Sequence, residues 1–597
     1  MKKKQVIALS LALAMAMGSL SACGSSSETS ATDTPAEVTT ETAEASDEAQ
    51  TGTETADAES DEDAVDPHDW AFYDELIDEI RTTTDFEARE ALMHEAEDIL
   101  METGAILPIY YYNDIYMQKE YVSNIYSNSY GFKYFMFAET DGDTLRINLA
   151  SEPDKLDPAL NSSVDGACLV VNSFAGLFAY DDSNEVVADL ADSYTVSDDG
   201  TVYTFTLIPD LKWSDGSELN ANDFVYAWNR AVDEKTAADY SYMFAVIARN
   251  EDGTLAVEAS EDAQTLTVTL DAPCAYFLDL CAFPAYYPVK QSEVEAASDW
   301  ETNPGAWCQE AGFVTNGAYT LESWTHDESM VYVKNPYYHR ADEVTVERLE
   351  FMLSADDTAI YAAYNAGDLD FADTVPTDEI QSLLDNPEFY IVDQLGTYYV
   401  GFNVNSSLFD GKTAAQANAM RRAFALLVDR DYIVETIGQT GQQPANSFIP
   451  EGMADGNGGV FKENDSAYTY PDEATTGYYD PYALDENVEE AIELLEYAGY
   501  EFTDDGMLSD ATPISFEYLT NEATSHVAIA EALQQDFAYI GINMTIKTVD
   551  WNVFLNERKE GNYDVAREGW IADFNDPINM LEMWTTESGN NDCQFGR

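Results

Sequence analysis

Two stretches near the start of the chain carry apolar residues at helical spacing. The first runs from Trp70 to Arg81, and the second presents one apolar face between residues 92 and 100. Thr84 and Glu87 have the spacing of a capping box, which predicts that the second helix begins there. Gly104 is placed to end that helix, and the apolar, tyrosine-rich run "AILPIYYY" that follows it predicts a buried strand.

Beyond residue 144, short apolar strands alternate with helices. "TLRINLA" and "TVYTFTLIPDLKWSDG" predict strands, "NANDFVYAWNRAV" predicts a helix with an asparagine N-cap, and "GAYTLESW" with "SMVYVKNPYY" predicts a hairpin. Mixed α/β elements of this kind predict two or more lobes. The alternation continues with strands at Tyr398–Phe402, Ile514–Leu519 and Met544–Val549, and with helices at Ala419–Val428, Val488–Ala498 and Val527–Ile540.

The first residues have the features of an export signal. Three lysines at positions 2–4 precede an apolar stretch from Val6 to Leu20, which is too short to count on as a membrane span. The stretch leads into "LSACG", which resembles a bacterial lipobox, and that resemblance implies a lipid on Cys23. An ordinary signal peptide with a chance cysteine is the alternative. We therefore interpret residues 1–23 as a lipoprotein signal peptide.

The next segment has a composition that cannot bury a core. Residues 24–66 are mostly Ser, Thr, Ala, Glu and Asp, with no aromatic residue and no Lys or Arg. We predict a disordered acidic tether with a reach of about 35–40 Å, extended further by charge repulsion. With the lipid anchor, this places the protein outside the cytoplasm, on the outer face of a bacterial cell membrane.

Length and charge narrow the class of protein. A chain of 597 residues predicts two or three domains. The formal net charge is −86, with 27 basic and 113 acidic residues, and no basic patch follows the first residues, so we expect no nucleic acid partner. Lipidation of Cys23 leaves five of the six cysteines, and no CxxC pair is present, so neither a disulfide framework nor a zinc site is indicated.

Motifs for catalysis are missing from the sequence. The five histidines form no HExxH, and there is no GxSxG, GxxxxGK[ST] or strand-linked GxGxxG motif. Paired carboxylates carry no information in so acidic a chain. We therefore predict a protein that is not an enzyme, with no catalytic residues, no metal site and no cofactor.

Three long segments carry a family resemblance. "LKWSDGSELNANDFVYAWNRAVD" (Leu211–Asp233), "FVTNGAYTLESW" (Phe313–Trp324) and "YDVAREGWIADFNDP" (Tyr563–Pro577) resemble the extracytoplasmic oligopeptide-binding proteins of ABC importers, which are family 5 solute-binding proteins. The resemblance implies a large α/β fold of the periplasmic-binding-protein type, with two lobes, three domains and a hinge cleft. It also implies a monomer that delivers oligopeptides to an ABC permease and its ATPase.

The order of the segments departs from the family. A part resembling Trp70–Glu139 comes last in the family, after the part resembling Tyr563–Asn591, whereas here it comes first. We interpret this as a circular permutation, which requires close old termini and a break in an exposed loop. Residues 67–139 should then pack on the C-terminal part, with Pro67 and Arg597 together at the surface. The alternative is a rearranged product that does not fold.

Domain bounds follow from this interpretation. The first domain is shared between the lobes, and the third is completed by the relocated segment. The predicted bounds are 1–23 for the signal, 24–66 for the tether, 67–139 for the relocated helices and closing strand, 140–174 with 300–400 for the first domain, 175–299 for the second, and 401–597 with 67–113 for the third.

The resemblance also implies a set of peptide-binding residues. Asp573, in "WIADFNDP", matches the family's acceptor for the peptide α-ammonium, and a free amine does need a fixed carboxylate in a dry cleft. The peptide would add as a β-strand, which pairs its backbone whatever its side chains. The other matches are the strand residues Gly569, Trp570 and Ile571, the opposite partners Ser162, Ser163 and Val164, and the cleft aromatics Tyr240, Trp551 and Tyr112.

Charged positions differ from the family in two places. Arg558 and Arg567 match basic residues near the peptide's C-terminal side, so either is placed to meet its carboxylate. Glu568 beside them is an additional acid that weakens this role. Ser162 replaces an acidic residue of well-known members, which reduces the electrostatic grip on the ligand there.

Other ligands and roles stay open from the sequence. Proteins related to this family take oligosaccharides, nickel chelates or haem, and a surface receptor or adhesin could use the same fold for peptide pheromones. Asp573 and the two arginines favour a zwitterionic peptide. Neighbouring permease and ATPase genes would separate a transport role from a signalling role.

Overall fold

A computed structural model of the protein describes residues 64–149, 151–466 and 468–597. The predicted signal segment with Cys23, and the predicted tether up to residue 63, lie outside these residues. Within the described ranges, no helix is long and apolar enough to cross a membrane.

The fold begins before the predicted end of the tether. The backbone amide of Val65 donates to Glu102 Oε1 at 2.9 Å, and its carbonyl accepts from Asn418 Nδ2 at 2.8 Å. The assignment of a disordered tether up to residue 66 is therefore wrong at its last residues. Composition did not reveal it, because these contacts use the backbone of the segment.

Strands and helices alternate along most of the described chain. The strands are β1 (Ile106–Gln118), β2 (Tyr126–Ser127), β3 (Lys133–Tyr134), β4 (Thr144–Asn148), β5 (Phe178–Tyr180), β6 (Val186–Ala188), β7 (Ala191–Val196), β8 (Val202–Leu207), β9 (Val257–Ala259), β10 (Thr265–Thr269), β11 (Tyr319–Thr325), β12 (Ser329–Lys334), β13 (Arg348–Met352), β14 (Phe371–Ala372), β15 (Phe389–Phe402), β16 (Gln443–Pro444), β17 (Ser515–Asn521), β18 (Asn543–Val549) and β19 (Val565–Ile571). The α-helices are α1 (Ala71–Thr82), α2 (Phe86–Thr103), α3 (Val164–Ser173), α4 (Ala221–Ala231), α5 (Phe277–Ala282), α6 (Gln291–Val294), α7 (Asp357–Ala366), α8 (Ile380–Leu383), α9 (Ala414–Leu426), α10 (Arg430–Tyr432), α11 (Leu484–Tyr497), α12 (Thr524–Tyr539), α13 (Trp551–Lys559) and α14 (Ile578–Leu581).

One mixed sheet organises the fold. Its strand order is β11-β12-β13-β4-β14-β1-β15-β19-β17-β18, and β16 pairs with β1. Neighbours are parallel at β4 and around β17, and antiparallel at the centre. A four-stranded antiparallel sheet, β7-β8-β10-β9, lies within the predicted second domain. This confirms the mixed α/β class and the predicted hairpin of β11 and β12.

The strand predicted from "AILPIYYY" lies at the centre of the large sheet. It is β1, 13 residues long, and it pairs with the 14-residue β15. Leu107 belongs to one apolar core and Met117 to another. The pairing is irregular between Tyr111 and Asn113, which locally bends and twists a strand pair. β1 therefore contributes to more than one apolar core and carries a local irregularity along its length.

The segment around α1 and α2 docks on the C-terminal part of the chain, as expected. Trp70 stacks on Phe595 with ring centroids 4.4 Å apart, and its Nε1 donates to the Trp584 carbonyl at 2.9 Å. Arg89 forms a buried bidentate ion pair with Asp576, with both contacts at 2.8 Å. The helices thus share their core with residues near position 590 and do not form a separate module.

The two ends of the described fold meet. The Gly596 amide donates to the Pro67 carbonyl at 2.9 Å. Arg597 is exposed, but Pro67 is buried, so the expectation that both lie at the surface is wrong for Pro67. The hydrogen bond and the adjacent Trp70 hold that part of the chain against the fold.

Both ends of α2 can be compared with the sequence prediction. The N-cap is Asp85, whose side chain accepts from the Ala88 amide at 3.1 Å, so the predicted capping box at Thr84 is wrong by one residue. Both residue types can cap a helix, and the pattern does not choose between neighbours. Gly104 does end the helix, with φ of +64° and its amide donating to the Met101 carbonyl at 3.1 Å.

Replacing Gly104 by alanine should destabilise the fold. The left-handed backbone alone disfavours a Cβ by about 1 kcal/mol, and a Cβ here would lie 2.7 Å from the backbone nitrogen of Arg422 on α9. Gly367 is a matched control, because it ends α7 with φ of +81° and has nothing within 4 Å of a Cβ. We expect Gly104→Ala to lower the free energy of unfolding more than Gly367→Ala in a denaturant titration. Equal losses would contradict close packing of α2 on α9.

Candidate functional site

A cavity of about 440 Å³ lies along β19 and β1. Every peptide-binding residue predicted from the sequence lines it, although these residues come from six separate parts of the chain. They are Tyr112, Ser162, Ser163, Val164, Tyr240, Trp551, Arg558, Arg567, Gly569, Trp570, Ile571 and Asp573.

One edge of β19 is open towards this cavity. β17 pairs with β19 only at Val565 and Ala566, and no other strand of the described chain lies along that edge. The Ala572 amide donates to Leu395 on the opposite side. Bond direction alternates along an antiparallel strand, so the amides and carbonyls of Gly569 and Ile571 point to the open edge. An extended chain can add there as a further strand.

Asp573 lies buried at the end of this edge. Tyr240 Oη donates to its Oδ1 at 3.2 Å, and Asn579 Nδ2 donates to its Oδ2 at 3.0 Å. The residue is 6% exposed, and burial raises the pKa of its carboxyl to about 7 despite the two hydrogen bonds. No Lys or Arg of the described chain forms an ion pair with it, so the site lacks the positive charge that would favour its ionised form.

Aromatic side chains surround the same end of the cavity. Trp570 is only half-buried, its Nε1 donates to Asn579 Oδ1 at 3.1 Å, and its ring centroid lies 6.0 Å from that of Tyr240. Trp551, the first residue of α13, is also half-buried and lines the cavity. Both tryptophans therefore leave part of their ring surface on the cavity wall.

Tyr112 brings the segment that contains β1 into the site. It lies on β1, and its hydroxyl oxygen is 2.1 Å from where a Cβ on Gly569 would be, so a side chain at that position would collide with it. Its ring is also near Tyr110 and Tyr398, at 5.7 and 6.0 Å. The cavity is thus complete only with β1 in the sheet.

The two candidate arginines have different surroundings. Arg558 forms a buried ion pair with Glu568 and lies 3.5 Å from Asp592, so it is already neutralised and the prediction that it meets a ligand carboxylate loses support. Arg567 has no carboxylate within ion-pair distance in the described chain. Its Nη2 contacts His526 Nε2 at 3.0 Å, and burial with the adjacent Arg567 holds the pKa of His526 well below its usual range. The neutral histidine therefore accepts from Arg567, whose charge stays available.

The predicted opposite partners form a turn into a helix. Ser163 caps α3 by accepting from the Gly166 amide at 3.2 Å, and Val164 is the first helical residue. Ser162 Oγ donates to Asp239 Oδ2 at 2.9 Å, and Asp239 also pairs with Lys559 at 3.1 Å. These residues face the cavity but do not form a strand, because the helix begins where strand pairing was expected.

A group of charged residues on the same cavity was missed from the sequence. Lys133 pairs with Asp114 and Asp373, and Asp165 lines the cavity beside them. Four distant segments supply these residues, so no spacing in the sequence connects them. The one available signal was a single lysine inside the aromatic run "YGFKYFMF", because a base in such a run requires a buried acidic partner.

Comparisons with known proteins identify the family of this chain. The model of the family described as bacterial extracellular solute-binding proteins, family 5 Middle, matches residues 185–592. The oligopeptide-binding protein OppA of Bacillus subtilis (strain 168) is 30% identical over 465 residues, which cover 75% of this chain and 78% of that protein.

Two solved structures share the architecture. The murein tripeptide binding protein MppA of Escherichia coli aligns with a TM-score of 0.66 and 27% identity, covering 76% of this chain and 84% of that one. Haemophilus influenzae OppA in complex with RPPGFSPFR aligns with a TM-score of 0.65 and 27% identity, covering 76% and 85%. The two-lobed binding-protein fold expected from the sequence is confirmed.

Proposed function

The chain belongs to family 5 of the bacterial extracellular solute-binding proteins, and from that premise we propose that it captures oligopeptides outside the cytoplasm and presents them to an ABC permease and ATPase. One observation carries the proposal: a buried carboxylate, an open strand edge and an unpaired guanidinium follow one another along a single cavity. Asp573, Gly569 with Ile571, and Arg567 fill these roles. The same three features complement the ammonium, backbone and carboxylate of a peptide.

The spacing along β19 fits a short extended ligand. Six residue steps separate Asp573 from Arg567, which is about 20 Å in a strand. A sugar or haem offers no backbone to the strand edge and no ammonium to Asp573. The names of OppA and MppA, and the peptide in the Haemophilus influenzae complex, support the same ligand class.

Mass spectrometry of ligand released from the purified protein tests the proposal. We expect peptides with a free N-terminus, and calorimetry with one of them should give saturable one-to-one binding by a monomer. Recovery of sugars, metal chelates or haem, with no binding of peptides, would overturn the proposal. A gene neighbourhood that lacks permease and ATPase genes would instead favour a peptide-signalling receptor of the same fold.

Lipid anchoring forms a further part of the proposal. It is supported by the lipobox-like "LSACG" and by the acidic segment that follows it. Replacing Cys23 by alanine should release the protein from the membrane fraction without changing its peptide affinity, because the segment up to residue 63 separates the anchor from the fold. Ser25→Ala is the control and should leave the protein membrane-bound. Cys593→Ala would not serve, because Cys593 is buried. A Cys23→Ala protein that stays with membranes would refute the lipobox.

The segment order is also part of the proposal: we regard the chain as a circular permutant with the domain bounds predicted from its sequence. Support comes from the contact between Gly596 and Pro67, from the docking of α1 and α2, and from the exposed turn at residues 139–143 where the new join lies. Permutation is tolerated where old ends are close and new ends are exposed.

A further inference from the structure

Three carboxylates and one ammonium meet on the cavity wall. Lys133 Nζ lies 2.9 Å from Asp114 Oδ2 and 2.9 Å from Asp373 Oδ1. Asp165, in the first turn of α3, lines the same cavity, and its side chain forms no ion pair or hydrogen bond within the described chain. With all three acids ionised, this group has a net charge of −2. We call these four residues the acidic wall.

Structural roles account for only part of the acidic wall. A buried lysine needs one carboxylate partner, and an acid in the first turn of a helix interacts favourably with the helix dipole. The pair with Lys133 explains one of its two carboxylates, and the second adds negative charge to the cavity wall. Asp165 is favoured by its place in the first turn of α3, but its side chain has no partner within the described chain. Burial raises the pKa of Asp373 well above its usual range and that of Asp165 to about 6, so a cationic ligand facing the cluster would take the place of bound protons.

A neighbouring side chain also points to a ligand. Gln394 is 9% exposed and lines the cavity, yet its amide has no hydrogen-bond partner in the described chain. Its Nε2 lies 3.3 Å from the place of a Cβ on Gly131, two residues before Lys133. Gln394 therefore keeps an amide carbonyl on the cavity that is free to accept from a ligand.

Aromatic rings complete the surroundings. Tyr130 and Phe132 shortly precede Lys133 in the chain and line the same cavity. Flat rings cover the aliphatic stem of a lysine or arginine while its charged end reaches a polar group. A cationic side chain of a bound peptide would therefore find apolar contact for its stem and carboxylates for its end.

We propose that the acidic wall is a specificity subsite that selects peptides carrying a lysine or arginine side chain at one fixed position. This inference rests on the proposed peptide function and refines its substrate class. Asp165 is the residue that pairs with the cationic side chain of the peptide, because Asp114 and Asp373 already share Lys133. Gln394 accepts a further hydrogen bond from the same group.

The test uses the full chain and two matched peptide series. One series consists of alanine-based pentapeptides with a single lysine at each position in turn, and the other carries norleucine at the same positions. Burial raises the pKa of Asp165 to about 6, so calorimetry is done at pH 8, where this carboxyl is ionised. At one position, lysine should bind at least about tenfold more tightly than norleucine, as expected for a charge pair in a partly desolvated cleft.

Asp165→Asn tests the acidic wall directly, because it removes one negative charge without breaking an ion pair within the protein. The lysine advantage should shrink by about tenfold in this variant, and binding of the norleucine peptide should fall much less. Asp504→Asn removes one exposed carboxylate that does not line the cavity, and it should keep the full advantage. Thermal unfolding of both variants checks that the fold is intact.

The outcomes separate this inference from the proposed function. If lysine and norleucine peptides bind equally at every position, peptide binding stands and the acidic wall is a structural ion pair only. If the lysine advantage survives in Asp165→Asn, another group reads the cation and the inference is wrong. If neither series binds, the proposed peptide function falls, and this inference falls with it.

Discussion

Replacing Asp573 by alanine is expected to weaken the binding of peptides with a free N-terminus by about 30-fold to several-thousand-fold, the usual cost of removing one partner of a buried ion pair. The carboxylate is 6% exposed and already held by Tyr240 and Asn579. It is therefore fixed in place before a ligand arrives, and an α-ammonium would meet it at no further cost of ordering.

An N-acetylated copy of the same peptide is the matched ligand control. It has no ammonium, so the wild-type protein should bind it weakly and the Asp573→Ala change should matter much less. Titration calorimetry of both peptides with both proteins directly gives the coupling free energy between the Asp573 carboxylate and the peptide ammonium. Equal losses for the amine and acetyl forms would show that Asp573 supports the shape of the site and does not read the N-terminus.

The buried state of Asp573 also predicts how binding depends on pH. Burial raises its pKa from 3.8 to about 7 in the empty site, and an ammonium partner favours the ionised form. Peptide binding should therefore release a proton below about pH 7, and affinity should fall by up to about tenfold for each pH unit of acidification. Asp573→Asn should abolish both the proton release and this slope.

The stability of the ligand-free fold depends on pH in the opposite direction to peptide affinity. Between about pH 4 and 7 the folded, ligand-free protein holds a proton on Asp573 that the unfolded chain has lost, so this group makes stability fall as pH rises. Asp573→Asn should raise the melting temperature of the empty protein at pH 8 while removing its affinity for peptides. A residue that lowers stability in the empty state is typical of a binding site.

Sequence patterns could predict the elements, because these depend on local order, and the family resemblance could predict which residues line the cavity. The apolar spacing of α1, the left-handed stop at Gly104 and the alternation of β11 and β12 are properties of a few neighbouring residues. Gly569 to Ile571 and Asp573 lie in one continuous motif, so a resemblance could transfer them together.

The charge state of the residues that line the cavity could not be predicted in the same way. Arg558 and Arg567 look equivalent in the sequence, and only the three-dimensional contacts show that Glu568 neutralises the first and not the second. The partners of Lys133 are distant in the chain, and no pattern links them. Asp573 is buried beside Tyr240, which lies 333 positions away in the chain, so its raised pKa has no local signature.

Deleting residues 64–139 should abolish both folding and peptide binding. The deletion removes β1 from between β14 and β15 at the centre of the sheet, and it removes α1 and α2 from the core. It also leaves Asp576 buried without Arg89, a loss that alone costs about 3–5 kcal/mol, which is a large part of the stability of most domains. We expect no cooperative unfolding transition in circular dichroism and no heat of peptide binding.

Moving the same residues to a position behind Arg597, with residue 63 joined to Thr140, should restore both properties. The hydrogen bond between Gly596 and Pro67 brings the new junction together, and the opened turn at residues 139–143 is exposed. The rearranged chain keeps every contact of β1, including the place of Tyr112 over Gly569, so its peptide affinity should match that of the natural order. Because the composition is identical, a rearranged chain that fails to fold would show that the present order is needed and that the segment is not simply permuted. A deleted chain that still unfolds cooperatively and binds peptide would instead show that β1 is dispensable, which its central position in the sheet argues against.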